Sequence, residues 1–135
     1  MSEITVNMNF ERVFSGELVA KRGQMHIGKG GENSFRPYDL MLGALGACYY
    51  ATFVDIADKM RLEYEGAEIS IHGVKRGEVP TTLQTVEMVF TIHGAKGTKG
   101  FERAAELAAK YCSVHETISK VAEITLKTVV QEAEA

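Results

Sequence analysis

Cysteine is scarce in this sequence: two residues in 135, Cys48 and Cys112. Two thiols cannot build a secreted disulfide scaffold. Basic residues are not in excess either. Fifteen Lys and Arg stand against 18 Asp and Glu, a formal charge of −3, so no nucleic-acid partner is expected. No basic and apolar leader opens the chain, since Glu3 and alternating polarity occupy its first residues; a cytoplasmic location is expected. The longest uncharged run, Leu40 to Val54, is fifteen residues bracketed by Asp39 and Asp55. A bilayer span needs about 18 or more, so the run reads as a buried helix, with no membrane partner. The apolar share of 45% and charged share of 24% are those of a globular domain and exclude disordered or low-complexity classes.

What is present is patterned. No repeat or linker interrupts the chain, and a single domain over residues 1–135 is expected. Ile4-Thr5-Val6-Asn7-Met8-Asn9-Phe10 alternates strictly and predicts a strand. Phe14 to Ala20 and Gln24 to Ile27 continue it, with breaks at Gly16 and Gly23 and a hairpin turn around Lys21-Arg22. Gly28 to Ser34 is a loop by composition. It lacks the Gly-Lys-Ser/Thr ending of a P-loop and the strand-linked G-x-G-x-x-G of a dinucleotide site.

Pro37 suits the first turn of a helix, with Asn33 or Ser34 as candidate caps and Asp39 adding favourable charge. That helix should run to Met60 or Arg61. Gly43, Ala44, Gly46, Ala47 and Ala51 crowd its middle, and a helix apolar on all sides must be covered on all sides. A chain this short has difficulty doing so alone, which points to a homodimer. Glu65 to Gly77 and Leu83 to His93 read as antiparallel strands joined near Pro80. Phe101 to Lys110 reads as a helix, broken around Cys112. A second helix follows with Ser113 as its cap, and Ala122 to Val130 reads as a final strand. The order is β-β-(β)-α-β-β-α-α-β, an α+β domain.

The thiols are the candidate chemistry. Cys48 is central to the apolar helix, with Met41 and Leu45 among its helical neighbours; free cysteine in such a place is either a core residue or a reactive one. Cys112 lies at a helix start, where a thiolate is stabilised. Cys112 and His115 also form a C-x-x-H half-site, short of the three or four ligands zinc needs. His26, His72 and His93 read as surface residues.

The segment PYDLMLGALGAC, Pro37 to Cys48, resembles the first cysteine segment of the osmotically inducible protein C (OsmC) family, and KYCSV, Lys110 to Val114, resembles its second. The resemblance spans essentially the whole chain. It implies an intertwined homodimer, with antiparallel sheets wrapped around central cysteine-bearing helices. It implies reduction of organic hydroperoxides without a cofactor or metal. Cys48 would become a sulfenic acid, Cys112 would condense with it to a disulfide, and a dithiol reductant would restore both thiols. Asp39 stands one place beyond the family's usual Pro-Glu position, and Arg36, Arg12 or Arg22 could supply the activating cation. Arg36 and Asp39 are therefore the candidate accessory residues. A noncatalytic stress protein binding a small apolar ligand in the dimer cavity is the alternative.

Overall fold

A computed structural model describes residues 2–134. The chain divides into two compact units, Met1–Gly43 and Ala44–Ala135. The element order is β1 (Asn7–Phe10), β2 (Ser15–Ala20), β3 (Gly23–Gly28), β4 (Ser34–Phe35), α1 (Pro37–Lys59), β5 (Gly66–Lys75), β6 (Leu83–Ala95), α2 (Phe101–Tyr111), α3 (Ser113–Ser119) and β7 (Glu123–Glu132). The fold class is α+β, as the pattern predicts.

In the first unit the strands form one sheet in chain order. Strands β2 and β3 are joined by the two-residue turn Lys21-Arg22, the expected hairpin. The expected first strand is shorter than its alternation. Asn7 already pairs with Val19, one residue from the end of β2, so Ile4 and Thr5 run past their partner and Ile4 is 90% exposed. Gly16 does not break the strand. It lies inside β2 opposite Phe10 and Ile27, where a Cβ would collide with the Asn9 carbonyl. His26 is half-buried rather than a surface residue: its Nε2 lies 3.0 Å from Ser15 Oγ and its Nδ1 2.9 Å from Ser34 Oγ. These contacts tie β2, β3 and β4 together. Strand β4 was not expected, because two residues show no period.

In the second unit β6 is the centre of the sheet β5-β6-β7. Its inward residues Val86, Met88, Phe90 and Ile92 are all buried, as the alternation predicts. Strand β5 is antiparallel to β6, but β7 is parallel to it. Likewise β4 is parallel to β3. Each sheet is thus mixed, where antiparallel sheets were expected. The physical reason for β7 is the crossover through α2 and α3, which returns the chain in the direction of β6.

Helix α1 is 23 residues long, enough by length and composition alone to cross a bilayer. One face of it packs into the core of the second unit. Phe53 meets Phe90 edge-on with ring centres 4.7 Å apart, and Tyr49 meets it at 5.2 Å. Tyr49 Oη donates to the Ala105 carbonyl of α2 at 2.9 Å. Phe53 and Phe101 both pack on Tyr64. The expectation of a helix buried on all sides is not met within the chain. Only Leu45, Tyr49, Phe53 and Ala57 are buried, one stripe at a four-residue spacing.

Candidate active site

Cys48 and Cys112 are brought together from opposite parts of the second unit. Cys48 comes from the middle of α1 and is half-buried; Cys112 is fully buried at the joint between α2 and α3. Both are free thiols. The local sequence explains the joint. Cys112 takes an extended conformation, φ −71° and ψ 117°, which stops α2 while its N–H still bonds the Ala108 carbonyl. Its Sγ then accepts the His115 N–H at 3.4 Å. Cys112 is therefore the N-cap of α3, the position expected for Ser113, and Ser113 is the first residue inside the helix.

The first turn of α3 is aimed at Cys48. Hydrogen bonding by the Val114 N–H holds the Cys48 thiol below its ordinary range; partial burial opposes this, and the Cys112 thiol, the Ser113 hydroxyl and the Ser113 N–H add to it. Ser113 Oγ stands 3.7 Å from Cys48 Sγ. Cys112 moves the opposite way. Burial raises it first; the His115 N–H lowers it, and hydrogen bonding and charge from Cys48 raise it further. The sequence led us to expect the helix start to favour a Cys112 thiolate. Instead burial outweighs the capping N–H at Cys112, and the benefit of the free N–H groups goes to Cys48.

The resulting pair is asymmetric. One thiol is half-buried and its ionisation is eased; the other is sealed, its ionisation is opposed, and it lies within hydrogen-bonding reach of the first. An ionised sulfur beside a neutral thiol can attack an electrophile and then be captured as a disulfide. Tyr49 is also shifted upward, chiefly by its burial, so its hydroxyl stays protonated.

Arg36 and Asp39 are brought together in the first unit. The Arg36 N–H donates to Asp39 Oδ2 at 2.9 Å, and Arg36 Nη2 donates to the Lys29 carbonyl at 3.1 Å. Asp39 thereby satisfies a backbone donor at the start of α1, the return half of a capping box; neither Asn33 nor Ser34 immediately precedes the helix. Arg12 lies in the β1–β2 connection and Arg22 in the β2–β3 turn, both exposed. Leu45 is sealed in the core and Met41 is exposed. Among the described residues no three His, Cys, Asp or Glu side chains are grouped to hold a metal. His93, held between Glu68 and Gln131, belongs to the sheet surface. The residue that sequence reasoning missed at the site is Ser113. Its type signalled a cap, and only the extended Cys112 frees its hydroxyl for Cys48.

Residues 28–127 match the OsmC-like protein family. The chain belongs to that family. It is 28% identical over 114 residues to Protein YhfA of Escherichia coli K12, a match covering 83% of this chain and 85% of that one. A hypothetical protein from Aquifex aeolicus superposes with a TM-score of 0.82 at 24% identity, covering 98% of this chain and 100% of that one. The organic hydroperoxide resistance protein OhrB of Bacillus subtilis superposes with a TM-score of 0.68 at 14% identity, covering 94% of this chain and 98% of that one. The two structural likenesses are likenesses of fold.

Proposed function

We propose that this OsmC-like chain is a thiol peroxidase that reduces organic hydroperoxides in the cytoplasm. The observation that carries the reading is the opposed ionisation of two thiols in reach of each other, Cys48 downward and Cys112 upward. The Cys48 thiolate attacks the terminal oxygen of the hydroperoxide. The O–O bond breaks, the alkoxide takes a proton from water and leaves as the alcohol, and Cys48 becomes a sulfenic acid. The Cys112 thiol then attacks the Cys48 sulfur. Its proton and the sulfenic hydroxyl leave as water, and a disulfide forms. An external dithiol reduces that bond, is itself oxidised to a disulfide, and restores both thiols. Arg36 and Asp39 close the start of α1 and carry no step of this reading.

The working unit is a homodimer in this reading. Its support is the open side of α1. Ala44, Ala47 and Ala51 carry no charge yet are exposed in the single chain, and small apolar residues in a row suit close packing on a second helix.

The test uses reduced protein and cumene hydroperoxide. Peroxide should be consumed, with a loss of two hydrogens and a Cys48–Cys112 linked peptide in the mass spectrum. Cys48→Ser should lower turnover by more than about 10³-fold, and Cys112→Ser should leave a sulfenic acid on Cys48. If both thiols stay free and peroxide persists, the peroxidase reading is lost and a noncatalytic ligand-binding role takes its place.

A further inference from the structure

Ser113 sits where a helix N-cap was expected, yet it does not cap. Cys112 does that, by accepting the His115 N–H. The Ser113 side chain is left facing another atom, Cys48 Sγ, at 3.7 Å, within the reach of a hydrogen bond to sulfur. Its backbone carbonyl accepts from Thr117 Oγ1 at 3.0 Å, so its tie to α3 runs through the main chain. A thiolate has no proton to give, so in the ionised state the hydroxyl must be the donor. We infer that Ser113 is the side-chain donor that holds Cys48 as an oriented thiolate.

The inference deepens the peroxidase reading and rests on it for its catalytic consequence, but the hydrogen bond acts on the sulfur whether or not peroxide is the substrate. It also separates two kinds of donor at one position. The Ser113 N–H reaches Cys48 as well. As the first residue of α3, Ser113 sits where a helix N–H has no internal partner and where proline is well tolerated. The extended Cys112 backbone before it is the conformation a following proline requires. Ser113→Pro therefore removes both donors without breaking α3, Ser113→Ala removes the hydroxyl alone, and Ser113→Thr keeps it.

The measurement is the pH dependence of alkylation at Cys48. Reduced full-length protein is treated with iodoacetamide, and the labelled cysteine is identified by peptide mass spectrometry. Ser113→Ala should raise the Cys48 midpoint by about one pH unit, the scale of one hydrogen bond to an anion. Ser113→Pro should raise it by about two units, and Ser113→Thr should return it towards wild type. Coincident profiles for wild type and Ser113→Ala overturn the inference. So does a rise in Ser113→Pro alone, which assigns the effect to the backbone. Peroxide consumption is read separately. Shifted midpoints without turnover keep the Ser113 role and remove the peroxidase reading; turnover with an unshifted Ser113→Ala removes the Ser113 role alone.

Discussion

The two sides of α1 differ in burial and in side-chain size, but not in charge. One carries Leu45, Tyr49, Phe53 and Ala57, all at most 1% exposed. The other carries Ala44, Ala47 and Ala51, which are exposed, and half-buried Cys48. Both are uncharged over four turns. The buried side is explained by what it touches: Phe90, Tyr64 and the α2 backbone. On the open side only Cys48 has such an explanation inside the chain, the first turn of α3; Ala44, Ala47 and Ala51 have none. The difference teaches that hydropathy marks a helix for burial without saying which chain does the burying.

The comparison is broken most severely from the closed side. Phe53→Ala removes a ring packed against Phe90 and Tyr64 and should cost about 3–5 kcal/mol. Urea unfolding reads this directly, and a loss under 1 kcal/mol would mean that the stripe is not the core. Next comes the open side. Ala47→Glu places a charge on an exposed position, so the single chain should keep its stability within about 0.5 kcal/mol. In the proposed dimer the same charge is forced against a second helix. Sedimentation should therefore show two chains for wild type and one for Ala47→Glu. A wild-type monomer, or a variant that stays paired, removes the reading of the open side as an interface.

Legibility in the sequence followed the strength of the period. Strand β6 is flanked on both sides, and its alternation placed Val86, Met88, Phe90 and Ile92 inward correctly. The break at Cys112 was visible because the apolar face of α2 ends there. Strand direction was not visible: alternation is the same for parallel and antiparallel neighbours, so the parallel β7 went unread. For α1 the lack of charge concealed which side faces the sheet, since there was no contrast to read. At the site, residue types and their family-like settings singled out Cys48 and Cys112. Their opposed acidities were not legible, because they depend on where the Ser113 and Val114 N–H groups point and on how deeply Cys112 is sealed. Both follow from tertiary packing rather than from the local sequence.

The two mid-helix glycines of α1 give the finest version of the comparison. A Cβ at Gly46 would stand 3.1 Å from Ile71 Cδ1 of β5, while one at Gly43 would meet nothing within 4 Å. Replacing a helix-interior glycine by alanine favours the helix by about 0.5–1 kcal/mol where there is room. Gly43→Ala should therefore stabilise the isolated fold by that amount. Gly46→Ala should gain less, because the Ile71 side chain must give way by a few tenths of an ångström to admit the methyl. Urea midpoints measured on the Ala47→Glu background, where the chain is single, isolate these terms from association. In the paired wild-type background the order should change if a second copy lies close over Gly43, since the added methyl then pushes the helices apart. A Gly43→Ala gain of the same size in both backgrounds would show that the close contact between copies lies elsewhere along α1.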